Sequence, residues 1–354
     1  MTVFYIISLL FYIGERMISM SKTRIPAGYR DTLGLFDTQI AIGMIKRNFE
    51  DKLSAALNLR RVSAPLFVEP ATGLNDDLSG TERAVRFDVP ETGRDAVVVH
   101  SLAKWKRMAL YTYGFAPGMG LYTDMNAIRR DETMDNLHSI YVDQWDWEKV
   151  ISREDRTAEY LIKTVETIVG ALCDTLDEIK KVYPAVTTEL SRKVTFITTE
   201  ELLKLYPDKT PKERENAFVK EHKCVFLMQI GDVLSNGEKH DGRAPDYDDW
   251  TLNGDILCWN EVLDCAFEIS SMGIRVDSAA LDAQLKKSGC DDRRSFMFHK
   301  LLLDGTLPLT IGGGIGQSRV CMLLLGKAHV GQVQVSVWDD DTMEMCRRAG
   351  IILL

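Results

Sequence analysis

The chain of 354 residues has no GxxxxGK[ST] loop, so it does not bind nucleotide in the P-loop manner. It also lacks an HExxH helix, a GxSxG turn and a GxGxxG strand–helix unit near its start. Those absences exclude the familiar metalloprotease, serine-hydrolase and dinucleotide-binding frameworks. The seven cysteines are odd in number and include no CxxC pair, which argues against a zinc site or a disulfide framework. Several sit in apolar runs, such as Leu257-Cys258-Trp259 and Val320-Cys321-Met322, and read as reduced, buried thiols of a cytoplasmic protein. Positive charge is in deficit: the formal net charge of -9 opposes a nucleic-acid partner gripped through its phosphates. The six histidines are scattered and read as structural, with His138 and His240 the two to watch.

A bilayer-spanning run is missing as well. The apolar stretch 3–13 is too short to cross a membrane as a helix, follows no basic residue and ends at Glu15-Arg16. Met17 and Met20 follow at once as candidate starts. Residues 1–20 are therefore expected to be an apolar extension outside the native protein, and 21–354 a single catalytic domain with no membrane partner. The composition, 45% hydrophobic and 27% charged, is that of a soluble globular chain able to bury a sizeable core. No internal repeat or low-complexity tract interrupts it.

Periodicity predicts helices over 37–57, 101–111, 158–182, 199–205, 212–220, 278–287 and 291–303. Strands are expected at 61–67, 84–89, 95–100, 141–147, 224–231, 254–260, 265–274 and 330–338. Adjacent strands recur without strict helix alternation, which points to an α+β fold with an antiparallel sheet rather than a doubly wound one. The segment Ile311-Gly312-Gly313-Gly314-Ile315-Gly316-Gln317-Ser318-Arg319 reads as a glycine loop running into a helix. Such a loop admits close backbone approach, and the helix amino end favours an anion, so a nucleotide is the expected guest.

Three clusters carry chemistry. In Tyr141-Val142-Asp143-Gln144-Trp145-Asp146-Trp147, period-two alternation puts Gln144 and Asp146 on one face, suited to an amino group, with the bulky residues opposite. An acidic cluster spans His240-Asp241-Gly242-Arg243-Ala244-Pro245-Asp246-Tyr247-Asp248-Asp249-Trp250, Asp255 and Glu268. In neighbouring strands Asp255 and Glu268 are placed to hold Mg²⁺, which takes a few carboxylates plus phosphate oxygens and water. Glu268 and Ser270 are expected on one face. The basic cluster holds Lys104-Trp105-Lys106-Arg107, Arg129, Arg275 and Arg319, fixed positive charge of the kind that phosphoryl and adenylyl chemistry requires.

The run AIRRDET, then YVDQWDW, then GGGIGQSR resembles the second and third signature motifs of class II aminoacyl-tRNA synthetases. More closely, DDLSGTERAV, VVHSLAKWKR, GLYTDMNAIRRDE, HDGRAPDYDDW, LNGDIL and FEISSMGIRVD are similar to the ammonia-dependent asparagine synthetase (aspartate–ammonia ligase) family across 40–338. The resemblance implies a class II synthetase-like antiparallel sheet flanked by helices, assembled as a homodimer. It implies adenylation of the aspartate side chain by ATP, then displacement of AMP by ammonia. Arg129 would hold the α-phosphate. Arg319 would stack on adenine, with backbone near Leu137 and Ser139 reading its edge and Gly316 and Arg275 completing the nucleotide site. Asp255 and Glu268 would carry Mg²⁺, and Lys106, Gln144, Asp146, Ser270 and Ser271 would enclose the amino acid. Asp76 or Asp248, each in a loop beside the pocket, is expected to take the ammonium proton. The rival readings are an aspartyl-tRNA synthetase-like paralogue and an inactive regulatory homologue. The missing anticodon domain and the acidic balance count against the first, and the joint presence of Arg129, Asp255, Glu268 and Arg319 against the second.

Overall fold

The computed structural model describes residues 22–75 and 82–354; the stretch 1–20 and Asp76 lie outside the described residues. Strands β1 (Leu59–Arg61), β5 (Gly120–Ile128), β6 (Tyr141–Val150), β11 (Thr310–Gly316), β10 (Cys265–Arg275), β9 (Asp248–Asn260), β8 (Cys224–Met228) and β7 (Thr195–Thr198) lie side by side in that order. The inner pairings are antiparallel, as expected, but both outermost pairs, β1–β5 and β7–β8, are parallel. A small antiparallel sheet joins β2 (Phe67–Val68), β4 (Arg94–Val98) and β3 (Arg86–Val89). The helices are α1 (Leu35–Leu57), α2 (Ala103–Thr112), α3 (Ala158–Val182), α4 (Thr199–Leu205), α5 (Pro211–His222), α6 (Ser278–Ser288), α7 (Met297–Leu303), α8 (Gln317–Leu324) and α9 (Asp340–Arg348).

The α3 sequence dictates its helix. The Thr157 side chain accepts the Tyr160 N–H as N-cap, Glu159 lies in the first turn, and Lys180 and Lys181 lie in the last, where they complement the helix dipole. Leu161, Val165, Ile168, Leu172, Leu176 and Ile179 recur at helical spacing and are buried. Together with Phe49 of α1 they belong to the core cluster that holds Trp145 and Trp147 of β6, and the Phe49 and Trp145 rings lie 4.7 Å apart. Full burial of each such side chain contributes about 1.5–3 kcal/mol. All seven cysteines are free thiols and five of them are buried, in line with the sequence reading. Among the described residues no helix is long and apolar enough to cross a membrane.

Three expectations are corrected. Residues 120–128, to which periodicity assigns nothing, form β5; their Gly, Asp and Asn disfavour a strand, and pairing with β1 and β6 on both sides imposes it. The glycine segment is the inner strand β11 rather than a loop. The span 330–338, expected as a strand, starts with a 3₁₀ turn, because His329 and Gln332 form a reciprocal capping box.

His329 is fully buried, and its Nδ1 accepts the Gly331 N–H at 3.0 Å. That bond requires the neutral ring, and burial pushes the His329 pKa down from 6.5 to about 4. The unfolded chain therefore takes up a proton below pH 6.5 that the folded chain refuses. His329 supports stability fully above that pH, and the contribution is lost as pH falls from 6.5 toward 4. Urea unfolding across that window is expected to show a shallower acid loss in His329→Gln than in the wild type; equal slopes would contradict the assignment.

Candidate active site

A cavity of about 470 Å³ opens on the sheet across β6, β11 and β10. One end is built from Lys106, Gln144, Asp146, Arg243, Ser271 and Arg275. Alternation along β6 turns Gln144 and Asp146 to the cavity while Trp145 and Trp147 stay in the core. Lys106, on the first turn of α2, is fully buried; its ammonium donates to the Asp146 carboxylate, to Trp147 O at 2.9 Å and to Gly313 O at 3.2 Å. Asp146 also accepts the Leu102 N–H at the start of α2, at 3.3 Å. Burial lowers the Lys106 pKa, and the Asp146 carboxylate opposes that shift.

Beneath this end lies Glu148, the next same-face residue of β6. It takes Arg275 Nη2 at 2.8 Å, Arg275 Nε at 3.0 Å and Thr310 Oγ1 at 2.7 Å, with Lys106 Nζ 3.8 Å away. Burial works against this carboxylate, but Arg275 and Lys106 hold its pKa below the usual range, so it stays charged.

The other end is built from Leu137, Ser139, Gly316, Ser318, Arg319 and Gln334. Arg319 Nη1 donates to Glu268 O at 3.2 Å and lies 3.4 Å from Glu268 Oε2. Arg129 follows the last residue of β5, where its N–H bonds Ile140 O at 2.8 Å, and its side chain lines the cavity. Its buried Nε has no hydrogen-bond partner among the described residues.

The structure brings together Lys106, Arg129, Leu137, Ser139, Gln144, Asp146, Glu268, Ser271, Gly316 and Arg319 as cavity walls. Four expected positions are revised. Ser270 does not share the Glu268 face: a register shift between the two, against β9, turns Ser271 into the cavity and leaves Ser270 fully buried. Asp248 is not in a loop; it opens β9 and is buried against Arg275 behind the lining. The Arg275 guanidinium is committed to Glu148 and Asp248, beside Lys106. Asp255 is not among the lining residues and pairs with Arg243 at 2.6 Å. Burial, with Glu268 nearby, pushes the Asp255 carboxyl up to about 7 against the pull of Arg243.

The glycines serve β11 itself. A Cβ at Gly314 would stand 2.5 Å from Gln144 Oε1, and one at Gly313 2.5 Å from Met272 Cβ. A Cβ at Gly312 would collide with the Glu148 carboxylate. The space they leave is filled by neighbouring side chains, and only Gly314 and Gly316 line the cavity.

Sequence reasoning passed over Glu148, Arg243 and Gln334. Period two from Gln144 and Asp146 leads directly to Glu148. Arg243 lies in an irregular segment, where no periodicity marks a side chain's direction, and Gln334 follows a 3₁₀ turn in the span expected as a strand.

A sequence profile described as aspartate–ammonia ligase matches residues 36–350. The aspartate–ammonia ligase of Ruminiclostridium cellulolyticum is 59% identical over 330 residues, covering 93% of this chain and 98% of its own. That of Bacillus cereus is 57% identical over 325 residues, covering 92% and 99%. Among solved structures, the asparaginyl-tRNA synthetase of Pyrococcus horikoshii complexed with asparaginyl-adenylate superposes with a TM-score of 0.62 at 16% identity, over 84% of this chain and 68% of that one. The Entamoeba histolytica asparaginyl-tRNA synthetase gives 0.61 at 14%, over 85% and 66%. At such identities the two synthetases establish the fold alone, and it is the class II synthetase fold. By the profile and the relatives together, the chain belongs to the aspartate–ammonia ligase family.

Proposed function

We propose that the protein makes asparagine from aspartate, ATP and ammonia through a β-aspartyl-AMP intermediate. The observation that supports the reading is one cavity lined both by Lys106, Gln144 and Asp146 and by the cations Arg129 and Arg319, which we read as its amino-acid end and its nucleotide end. In the first step an oxygen of the aspartate side-chain carboxylate attacks the α-phosphorus of ATP. The bond to the bridging oxygen breaks and pyrophosphate leaves. Ammonia then attacks the activated carbonyl carbon, AMP departs with the former carboxylate oxygen, and one proton is released.

Asp146 and Gln144 would hold the substrate amino group, with Lys106 and Arg243 offering positive charge to its carboxylates. Arg129 would meet the α-phosphate, and Arg319 would lie against the adenine ring. Glu268, at the cavity wall, would carry Mg²⁺ with phosphate oxygens and water, and Asp255 would join it only by giving up its ion pair with Arg243. The charge of the ion would offset that of the triphosphate. At neutral pH ammonia is mostly ammonium, and Asp76 would take the proton; this residue stands near Glu82 in the chain, and Glu82 lines the cavity. Residues 21–354 would act as one catalytic unit of a cytoplasmic homodimer. Exposed Leu35, Phe36 and Ile40 on α1 offer apolar surface for that contact.

Incubation of the purified protein with aspartate, ATP, Mg²⁺ and ammonium is expected to yield asparagine, AMP and pyrophosphate in equal amounts, and chelation of the metal to stop it. ADP as product would overturn the adenylation scheme, and charging of tRNA would favour the synthetase-like rival. Gly314→Ala is expected to push Gln144 off its position and raise KM for aspartate by about tenfold or more, with KM for ATP little changed. An unaltered aspartate KM would remove Gln144 from the substrate end.

A further inference from the structure

At the nucleotide end the fold dictates the hydrogen-bonding direction of the Gln334 side chain. It is 5% exposed and lines the cavity beside Leu137, Ser139 and Ser318. Its Nε2 donates to Ser318 Oγ at 3.0 Å and to Asp143 Oδ1 at 3.3 Å. Asp143 itself is anchored from two sides: it takes Lys46 Nζ of α1 at 3.2 Å and the Ser318 N–H of α8 at 3.0 Å. An ionised carboxylate only accepts, so the Gln334 amide nitrogen must face Asp143. The amide oxygen is then forced to the opposite side, as an acceptor. That Oε1 is buried and has no hydrogen-bond partner among the described residues. A buried carbonyl without a donor is costly, and a carbonyl held by its own amide cannot rotate to find one.

We infer that Gln334 is a specificity-determining residue of the nucleotide site, whose Oε1 accepts a hydrogen bond from the adenosine moiety. Adenosine carries donors of the required kind on the exocyclic amine of its base and on its ribose hydroxyls. A 6-oxo purine presents an acceptor where adenine presents its amine, and two facing acceptors repel. The residue thus selects ATP by rejecting nucleotides that lack the donor, a discrimination that apolar contact cannot supply. Asp143 is a positioning residue for this selection: it holds the Gln334 amide in one orientation and tethers the first turn of α8, which carries Arg319.

The inference rests on the proposal that ATP occupies this cavity, and the test separates the two. Binding of ATP, ITP, 2′-deoxyATP and 3′-deoxyATP to the wild-type protein and to Gln334→Leu is measured by titration calorimetry. The wild type is expected to bind at least one analogue about tenfold or more weaker than ATP. ITP as the weak ligand assigns the donor to the base amine, and a deoxynucleotide assigns it to the ribose. In Gln334→Leu the same ratio is expected to fall toward one, whatever happens to affinity in general. A ratio unchanged in the variant, with all ligands weakened alike, would reduce Gln334 to a structural role and overturn the inference. Equal wild-type affinity for all four nucleotides would overturn it without any variant, so a Gln334→Leu protein that fails to fold does not rescue it. Failure of the wild type to bind ATP at all would overturn the nucleotide site itself, and the Gln334 role with it.

Discussion

Arg129→Ala is expected to lower the rate of adenylate formation by about 10²–10³, with a much smaller effect on aspartate affinity. Arg129 leaves the end of β5 at the rim of the cavity, and its backbone is tied to Ile140 across the hairpin. Arg243, Arg275 and Arg319 are engaged by Asp255, by Glu148 and Asp248, and by Glu268; Arg129 keeps a buried Nε without a hydrogen-bond partner among the described residues, as Arg243 also does. A guanidinium so placed meets negative charge as it builds on the α-phosphate, at no cost of reorganisation. Aspartate-dependent exchange of pyrophosphate into ATP reads this step separately from the ammonia step. Arg129→Lys is expected to recover only part of the rate, because an ammonium lacks the planar fork. Exchange at the wild-type rate in Arg129→Ala would remove the residue from the chemistry.

Glu148→Ala is expected to destabilise the fold by about 3–5 kcal/mol, among the largest losses any single substitution should cause. Glu148 is fully buried, and its carboxylate neutralises the equally buried Arg275 while accepting from Thr310. Removing it leaves Arg275 and Lys106 as cations facing Asp146 and Asp248 alone, in a region from which water is excluded. Chemical unfolding measures the loss; a change under about 1 kcal/mol would mean that water or a neighbouring carboxylate replaces Glu148. Gly312→Ala should also be harmful, because its new methyl group meets the Glu148 carboxylate. In the Glu148→Ala background the clash with the carboxylate is gone while the 2.7 Å approach to Trp147 O remains, so the two costs are expected to combine to less than their sum.

Much of this arrangement is legible in the sequence. Trp145 and Trp147 in period two with Gln144 and Asp146 announced a strand with a core side and a chemical side. The spacing of Leu161, Val165, Ile168 and Leu172 announced α3 to its end residues. These signals are legible because one face of each element meets the core and the other does not. Glycines carry no such signal: Gly312 to Gly314 suit a ligand loop and a crowded inner strand equally well, and only the neighbouring side chains distinguish the two. Ser270 was misplaced for a related reason. A register shift beside Glu268 breaks the two-residue period, and nothing in the local sequence marks it.

By itself the sequence determined the chemical inventory: no P-loop lysine, a set of arginines and carboxylates in long family-specific motifs, and an α+β element order with an antiparallel centre. The tertiary structure decided which of those charges are free to meet a substrate. Arg275 and Arg129 both line the cavity and carry the same formal charge, yet packing ties Arg275 to Glu148 and Asp248 while the buried Arg129 Nε has no hydrogen-bond partner among the described residues. Charge is a property of the residue; whether it is already neutralised depends on distances between segments far apart in the chain, and only packing sets those.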